Sequence, residues 1–157
     1  MATATSAQQL GKFLAALAAK QSTPGGGAAA AVGAGLGSAA ASMAAAYTQR
    51  KKDKESGASA KAEILVQKLD FEKALKAADE DAAAYADLQR SWKDADMTAE
   101  EKKAIEARAL AVPVSLVELC HDYILAIQVF LPDCTPNITS DAKVGIHELA
   151  GAARAGE

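Results

Sequence analysis

The sequence predicts an all-α protein, a bundle of about five or six helices built around one buried helix rich in alanine and glycine. Three observations carry this. Residues 28–46 are almost pure Ala and Gly, with Val32, Leu36 and Met43 the only large apolar side chains and Ser38 and Ser42 the only polar ones. Elsewhere the apolar residues recur three and four apart, and no credible strand pattern interrupts them. Half of the 157 residues are apolar yet only 4% are aromatic, so the helices must lie close together.

The first element spans about Ser6 to Lys20, where Leu10, Phe13, Leu14 and Leu17 form one apolar stripe and predict a core-facing helix. Thr23-Pro24-Gly25-Gly26-Gly27 follows as a turn. Thr23 can cap the next helix and Pro24 suits its first turn. The three glycines leave the backbone N–H groups uncovered. Such a helix N-terminus can receive an anion, and it can equally be a flexible joint. The Ala/Gly helix is small and apolar on every side, which predicts burial with other helices close all round it.

Tyr47 to Lys54 then brings Arg50, Lys51, Lys52 and Lys54 together. A basic cluster at a helix C-terminus complements the macrodipole, and it can also be a landing point for an anionic ligand. Residues from about Ala58 to Trp92 read as one long helix with the stripe Leu65, Leu69, Glu72, Leu75, Ala78, Ala82, Tyr85, Leu88 and Trp92. Asp81 is out of place in it: Ala74, Ala77, Ala78, Ala84, Tyr85 and Leu88 share its face. A carboxylate there is costly unless paired or hydrogen-bonded, whereas Glu80, beside Lys76 and Asp87, is expected in solvent.

Thr98-Ala99-Glu100-Glu101 is a capping box. It opens a helix through Ile105, Ala109, Val112, Leu116, Cys120, Ile124, Ile127 and Leu131. Pro113 is expected to kink or divide that helix, and the part beyond it, apolar nearly all round, to be central. Pro132 and Pro136 end it, and Thr139-Ser140-Asp141 is expected to cap a last helix to about Ala153. Asn137-Ile138-Thr139 matches a glycosylation sequon, which has no bearing in a cytoplasmic protein.

Composition narrows the function. A net charge of −3 and a pI near 5.4 argue against nucleic acid as the main partner. Two cysteines, Cys120 and Cys134, are too few for a disulfide-stapled scaffold and point to reduced thiols in the cytoplasm. The Ala/Gly run has the length of a membrane span, but its hydrophobicity is weak, and the Gly33/Gly37 pair equally permits close packing in a soluble bundle. The N-terminus has no signal-peptide pattern, and no membrane partner is expected. Cys120, His121, Cys134 and His147 lack metal-ligand spacing, so no metal is expected. There is no Walker loop, GxGxxG or G-x-S-x-G. What remains is a polar set in a helical core: Thr23, the Gly25, Gly26 and Gly27 amides, Lys51 or Lys52, Asp81, Asn137, Ser140 and Asp141.

These residues match a known pattern. Phe13-Leu14-x-x-Leu17-Ala18, Thr23-Pro24-Gly25-Gly26-Gly27 and the Ala/Gly helix ending in Ala41-Ser42-Met43 and Tyr47-Thr48 are its first half. Asp79-Glu80-Asp81-Ala82-x-Ala84-Tyr85, Val112-Pro113 and Asn137-x-x-Ser140-Asp141-Ala142 are its second. In order, from about Leu10 to Arg154, they resemble the formiminotetrahydrofolate cyclodeaminase / methenyltetrahydrofolate cyclohydrolase family. The resemblance implies a single all-helical domain over residues 1–157, usually dimeric, acting on one-carbon units carried by tetrahydrofolate without metal or organic cofactor. Family members continue past the equivalent of Ala153-Arg154 into another helix, while this chain stops at Glu157.

The chemistry implied is hydrolysis of 5,10-methenyltetrahydrofolate or cyclisation of 5-formiminotetrahydrofolate with loss of ammonia. Both need a general acid/base and a carboxylate near the methenyl cation. Asp81, on its alanine-lined face, is expected to have a raised pKa and to move the proton. Asp141, inside a helix N-terminus, is expected to stay charged beside the cation. Thr23, Gly25, Gly26, Gly27, Lys51, Lys52, Asn137 and Ser140 would bind substrate, the glycines and lysines taking the pterin or the glutamate tail. The alternative is a non-catalytic folate-binding or structural helical dimer, a truncated relative of the enzymes. A small-residue helix buried in a modest chain predicts a homodimer, with a partner subunit supplying part of its cover.

Overall fold

The computed structural model describes residues 9–156, so the expected start of the first helix, Ser6 to Gln8, lies outside the described residues. Seven α-helices are found among them and no strand: α1 (Leu10–Ala18), α2 (Gly26–Ala46), α3 (Lys51–Ser56), α4 (Ala58–Lys68), α5 (Phe71–Lys93), α6 (Ala99–Phe130) and α7 (Thr139–Ala155). Short 3-10 turns at Leu131–Asp133 and Pro136–Ile138 join α6 to α7.

The Ala/Gly helix is the hub. α5 and α7 pack along α2, while α6 packs mainly on α5 and α7. Both neighbours run antiparallel to α2. Gly35 lies against Leu75 and Gly27 against Asp81, which sets the register of α5. Gly37 lies against Gly145, and Thr135, just before α7, bonds to Thr48, just after α2. The small residues explain the closeness: a Cβ on Gly37 would sit 2.8 Å from the Gly145 carbonyl oxygen, and one on Gly145 only 2.8 Å from the Ala41 Cβ. Gly33 makes no such approach, so the Gly33/Gly37 pair does not act as one crossing motif.

Burial of α2 is not complete. Ala28, Ala31, Ala34, Ala41, Ala44 and Ala45 are fully enclosed, but Leu36, Met43 and Tyr47 are exposed. One side of the helix faces outward, contrary to the expectation from its composition. α1 is likewise only half engaged: Phe13 is buried and Leu17 packs on the core, while Leu10 and Leu14 are exposed.

The predicted single helix over Ala58–Trp92 is two helices. Leu69 leaves the helical region with ψ 77°, and the Asp70 side chain accepts the Glu72 and Lys73 N–H groups as the N-cap of α5. Tyr123 on α6 holds the break, its hydroxyl donating to the Asp70 carbonyl and accepting the Asp70 N–H at 3.2 and 3.1 Å. Of the predicted stripe, Leu65, Leu69 and Ala78 are buried, whereas Glu72, Tyr85 and Trp92 are exposed. The restart at Asp70 turns the face that α5 shows to the core.

One further expectation, that the second half of α6 is central, is corrected. The Thr98/Glu101 capping box forms as read, with Glu101 N–H donating to Thr98 Oγ1 at 3.2 Å and Thr98 N–H to Glu101 Oε2 at 2.8 Å. α6 then passes Pro113 without dividing. Nor is its second half central: Leu116, Cys120, Tyr123, Ile127 and Phe130 are buried, but Val114, Leu125 and Val129 are exposed. By length and apolarity alone, α2 and the segment Ala99–Asp133 could each cross a membrane; more than half of the α2 window is buried inside the fold.

Candidate active site

The site begins where α2 begins. Thr23 does not cap the helix and Pro24 does not lie in its first turn: α2 starts at Gly26 with Gly25 as N-cap and no side-chain cap. The Thr23–Pro24 peptide is cis. A side chain from another helix takes the capping role. α5 runs back along α2 and delivers Asp81 to this end, where its carboxylate accepts the Ala28 N–H. The seat is glycine: a Cβ on Gly27 would lie 2.5 Å from the Asp81 Cγ and 2.7 Å from Oδ2. A helix N-terminus favours a bound negative charge. Where the sequence left room for an external anion, the fold therefore holds a carboxylate of its own.

Asp81 is half-buried against Gly27 and Ala28, and desolvation raises its pKa above the ordinary carboxylate range, with the Ala28 N–H opposing the shift in part. That combination suits proton transfer, since burial favours the neutral acid while one fixed donor orients the oxygens.

The second group of predicted residues lies elsewhere. The Thr139-Ser140-Asp141 cap does not form: α7 begins at Thr139 itself, its N-cap is Ile138 without a side-chain cap, and Thr139 Oγ1 donates to the Thr135 carbonyl at 3.1 Å. Asp141 sits half-exposed in the first turn of α7. Ser140, exposed beside it, donates to Asp141 Oδ2 at 3.2 Å. Asn137 is exposed on the preceding 3-10 turn.

Thr48, which the sequence marks only within the Tyr47-Thr48 pattern and not as a site residue, holds this segment in place. It is fully buried, and its Oγ1 accepts the Thr135 N–H at 3.1 Å. The signal was present: Thr48 continues the Ala41, Ala44, Ala45 face of α2, so a polar side chain there needed a partner.

Lys51 and Lys52 are near the same end of α2 but not at its C-terminus as expected. They open α3, where Arg50 is the N-cap residue. Arg50 donates its backbone N–H and guanidinium to Asp53 at 2.7–2.8 Å, and Asp53 is buried. Arg50 and its hydrogen bonds hold the Asp53 carboxyl below the usual range, against the effect of burial. Lys51 and Lys52 both project into solvent; Lys51 makes only a loose 3.9 Å contact with Glu55.

The predicted set thus divides. Gly25, Gly26, Gly27 and Asp81 are at the α2 N-terminus, with Thr23 just before it; Asn137, Ser140, Asp141, Lys51 and Lys52 are toward its C-terminus. With Gly145 opposite Gly37 and Ala41, antiparallel register puts Asp141 near the level of Met43. Asp81 is level with Gly27, about 24 Å away along the axis at 1.5 Å per residue. One chain does not bring the two acids together. Nor do Cys120, His121, Cys134 and His147 converge: among the described residues no three His, Cys, Asp or Glu side chains form a metal-binding group. Both cysteines are free, and burial pushes the Cys120 thiol up to about 11.

Comparisons with known proteins agree with this architecture. Among curated proteins none matches by sequence. The crystal structure of formiminotetrahydrofolate cyclodeaminase from Thermotoga maritima superposes with a TM-score of 0.87 at 21% identity, over 96% of this chain and 75% of that one, which shows a shared fold. The sequence profile named formiminotransferase-cyclodeaminase matches residues 9–157, and the chain therefore belongs to that family.

Proposed function

We propose that the protein is a cytoplasmic enzyme of folate one-carbon metabolism in which Asp81 is the general acid/base. The observation that carries this is the half-buried Asp81 carboxyl, raised in pKa and oriented by the Ala28 N–H. As a cyclohydrolase it would take a proton from water as the oxygen attacks the bridging carbon of 5,10-methenyltetrahydrofolate. The proton would then pass to N5 as the carbon–N5 bond breaks, and the hydroxyl proton would leave to solvent as the carbonyl forms, leaving the formyl group on N10. As a cyclodeaminase it would take the N10 proton as N10 bonds to the formiminium carbon of protonated 5-formiminotetrahydrofolate, and return it to the amino nitrogen as the carbon–nitrogen bond breaks and ammonia leaves. Asp141 would stabilise the positive charge spread over N5, the carbon and N10. No metal or organic cofactor takes part.

Asn137 and Ser140 would bind the pterin beside Asp141, and the exposed Lys51 and Lys52 would receive the glutamate-tail carboxylates. With an internal carboxylate already at the α2 N-terminus, the glycines serve to seat Asp81 and admit the neutral pterin edge rather than the tail. The working form is a homodimer, since the two acids lie toward opposite ends of α2 in one chain.

The test is the decay of 5,10-methenyltetrahydrofolate absorbance with wild type and with Asp81→Asn, where spontaneous hydrolysis is slow. Acceleration lost in the variant supports the cyclohydrolase. Ammonia release from 5-formiminotetrahydrofolate, lost in the same variant, supports the cyclodeaminase. Tight folate binding without either turnover favours the non-catalytic reading and removes Asp81 as an acid/base.

A further inference from the structure

We infer that Tyr123 is a positioning residue for Asp81: its hydroxyl fixes where α5 starts, and α5 carries that setting about three turns onward to the carboxylate. Its bearing on turnover rests on the folate reading above. The contact of α5 with α2 is close but smooth. Leu75 lies against Gly35 and Asp81 against Gly27; the α5 residues between them in the core are Ala77 and Ala78. Methyl groups on glycine and alanine make few contacts each, so they permit close approach without resisting a small rotation of α5 about its axis. A rotation of about 10° moves a side chain on a helix of roughly 11 Å diameter by about 1 Å. A displacement of that size can slow a reaction about 100-fold.

The setting is held at the break before α5, where neighbouring residues of α6 grip both sides of the buried Leu69. The Asp122 carboxylate takes Lys68 Nζ at 2.9 Å. The Tyr123 hydroxyl takes both backbone groups of Asp70, donating to the carbonyl at 3.2 Å and accepting at 3.1 Å the N–H that Asp70 also directs to the Lys68 carbonyl. The two ties are unequal. The Lys68 and Asp122 side chains are both exposed, and such a pair holds weakly. Tyr123 is buried with its ring in the core, and its hydroxyl bonds are directional.

The residue it grips is the one that starts the helix, since the Asp70 carboxylate caps α5 by accepting the Glu72 N–H at 3.0 Å. From the other side Ser42 Oγ, on α2, donates to the Leu69 carbonyl at 3.4 Å, a longer bond. Tyr123 therefore sets the first turn of α5 against α6, and α5 runs unbroken to Lys93. Ala28 reports the result without any substrate. Its N–H lies ahead of the first intrahelical bond, from the Ala29 N–H to the Gly25 carbonyl at 3.1 Å, and it has the Asp81 carboxylate as acceptor.

The test is Tyr123→Phe on the intact chain, read by amide hydrogen exchange and by kinetics. Exchange at Ala28, taken relative to the fully buried Ala34 and Ala41 of the same helix, should be at least about tenfold faster than in wild type. In the same variant kcat should fall by about tenfold to 100-fold, with KM within about twofold. Ile127→Val, a core change on α6 that keeps the hydroxyl, should lower the melting temperature while leaving the Ala28 ratio and kcat unchanged. Ser42→Ala removes the longer bond at the same break and should repeat the Tyr123→Phe pattern at smaller size, so it decides the matter if Tyr123→Phe does not fold. Exchange that rises evenly along α2, or a kcat loss matched by Ile127→Val, confines Tyr123 to the core and overturns the proposal. A wild type without folate turnover, or a selective change at Ala28 with kcat intact, overturns the acid/base reading of Asp81 while the exchange still decides the positioning.

Discussion

The Asp81 carboxylate rests against the bare Cα of Gly27 and accepts the N–H of Ala28, so α5 caps the N-terminus of the helix at the centre of the bundle. The N-cap residue itself, Gly25, has no side chain to do this. A side chain more than fifty positions away supplies what a local Ser or Thr normally gives a helix start.

That contact sets a pH dependence. Burial raises the folded pKa of Asp81 above its unfolded value of 3.8. Between the two values the folded state holds more protons than the unfolded state, so stability falls as pH rises through that window and the loss is complete above the folded pKa. Asp81→Asn keeps the shape and an acceptor for Ala28 while removing the charge. It should unfold at a higher temperature than wild type at pH 7, with the difference closing toward pH 3.5, as read by circular dichroism melts. Turnover should fall by at least 100-fold in the same variant, a trade of activity for stability.

Gly27→Ala tests the seat rather than the acid. The added methyl would occupy the space of the carboxylate, so Asp81 must swing away and lose the Ala28 N–H. The expected outcome is a drop of roughly tenfold or more in kcat, about 1.4 kcal/mol in the barrier. The helix itself should remain formed, because Ala is a better helix residue than Gly. Turnover equal to wild type would show that the carboxylate position is not needed.

The Ala/Gly helix, the capping box at Thr98, the amphipathic helices and the oddity of Asp81 were legible because each is a local pattern. The break at Leu69-Asp70 was not: its decisive partner, the Tyr123 hydroxyl, is 53 residues away. The Lys51/Lys52 cluster was misplaced for a similar reason, since Arg50 and Asp53 form a ring of hydrogen bonds that starts a new helix where charge alone suggested the end of one. Composition also could not say which side of α2 would stay open, because a helix with no polar face carries no mark of direction. The separation of Asp81 from Asp141 follows only from the antiparallel register of α5 and α7 on α2.

The crossing of α2 and α7 should be intolerant of a single methyl. In Gly37→Ala the new Cβ would meet the Gly145 carbonyl oxygen at 2.8 Å, Glu148 Cβ at 3.0 Å and Leu149 Cγ at 3.1 Å, two of them backbone or near-backbone atoms with little room to move. Overpacking of this kind costs about 1–3 kcal/mol, against about 1 kcal/mol gained in helix propensity. A net loss of stability is expected in urea unfolding. Gly151→Ala, in α7 with nothing within 4 Å of its Cβ, should instead gain up to about 1 kcal/mol.

Thr48→Val should separate the anchoring of the Asn137–Asp141 segment from the fold of the bundle. The Thr48 hydroxyl is fully buried and accepts the Thr135 N–H at 3.1 Å, while Thr135 Oγ1 reaches the Tyr47 carbonyl at 3.4 Å. Valine fills the same volume but leaves that N–H without its acceptor, at a cost of about 1–3 kcal/mol. Thr48→Ser keeps the oxygen and loses only a methyl, about 1 kcal/mol. If the hydroxyl is what places Ser140 and Asp141, Val should raise the KM for the folate substrate several-fold and Ser should not, although both lower the melting temperature. Equal KM values in the two variants would confine Thr48 to the core and leave the placement of Asp141 to the Gly37–Gly145 crossing alone.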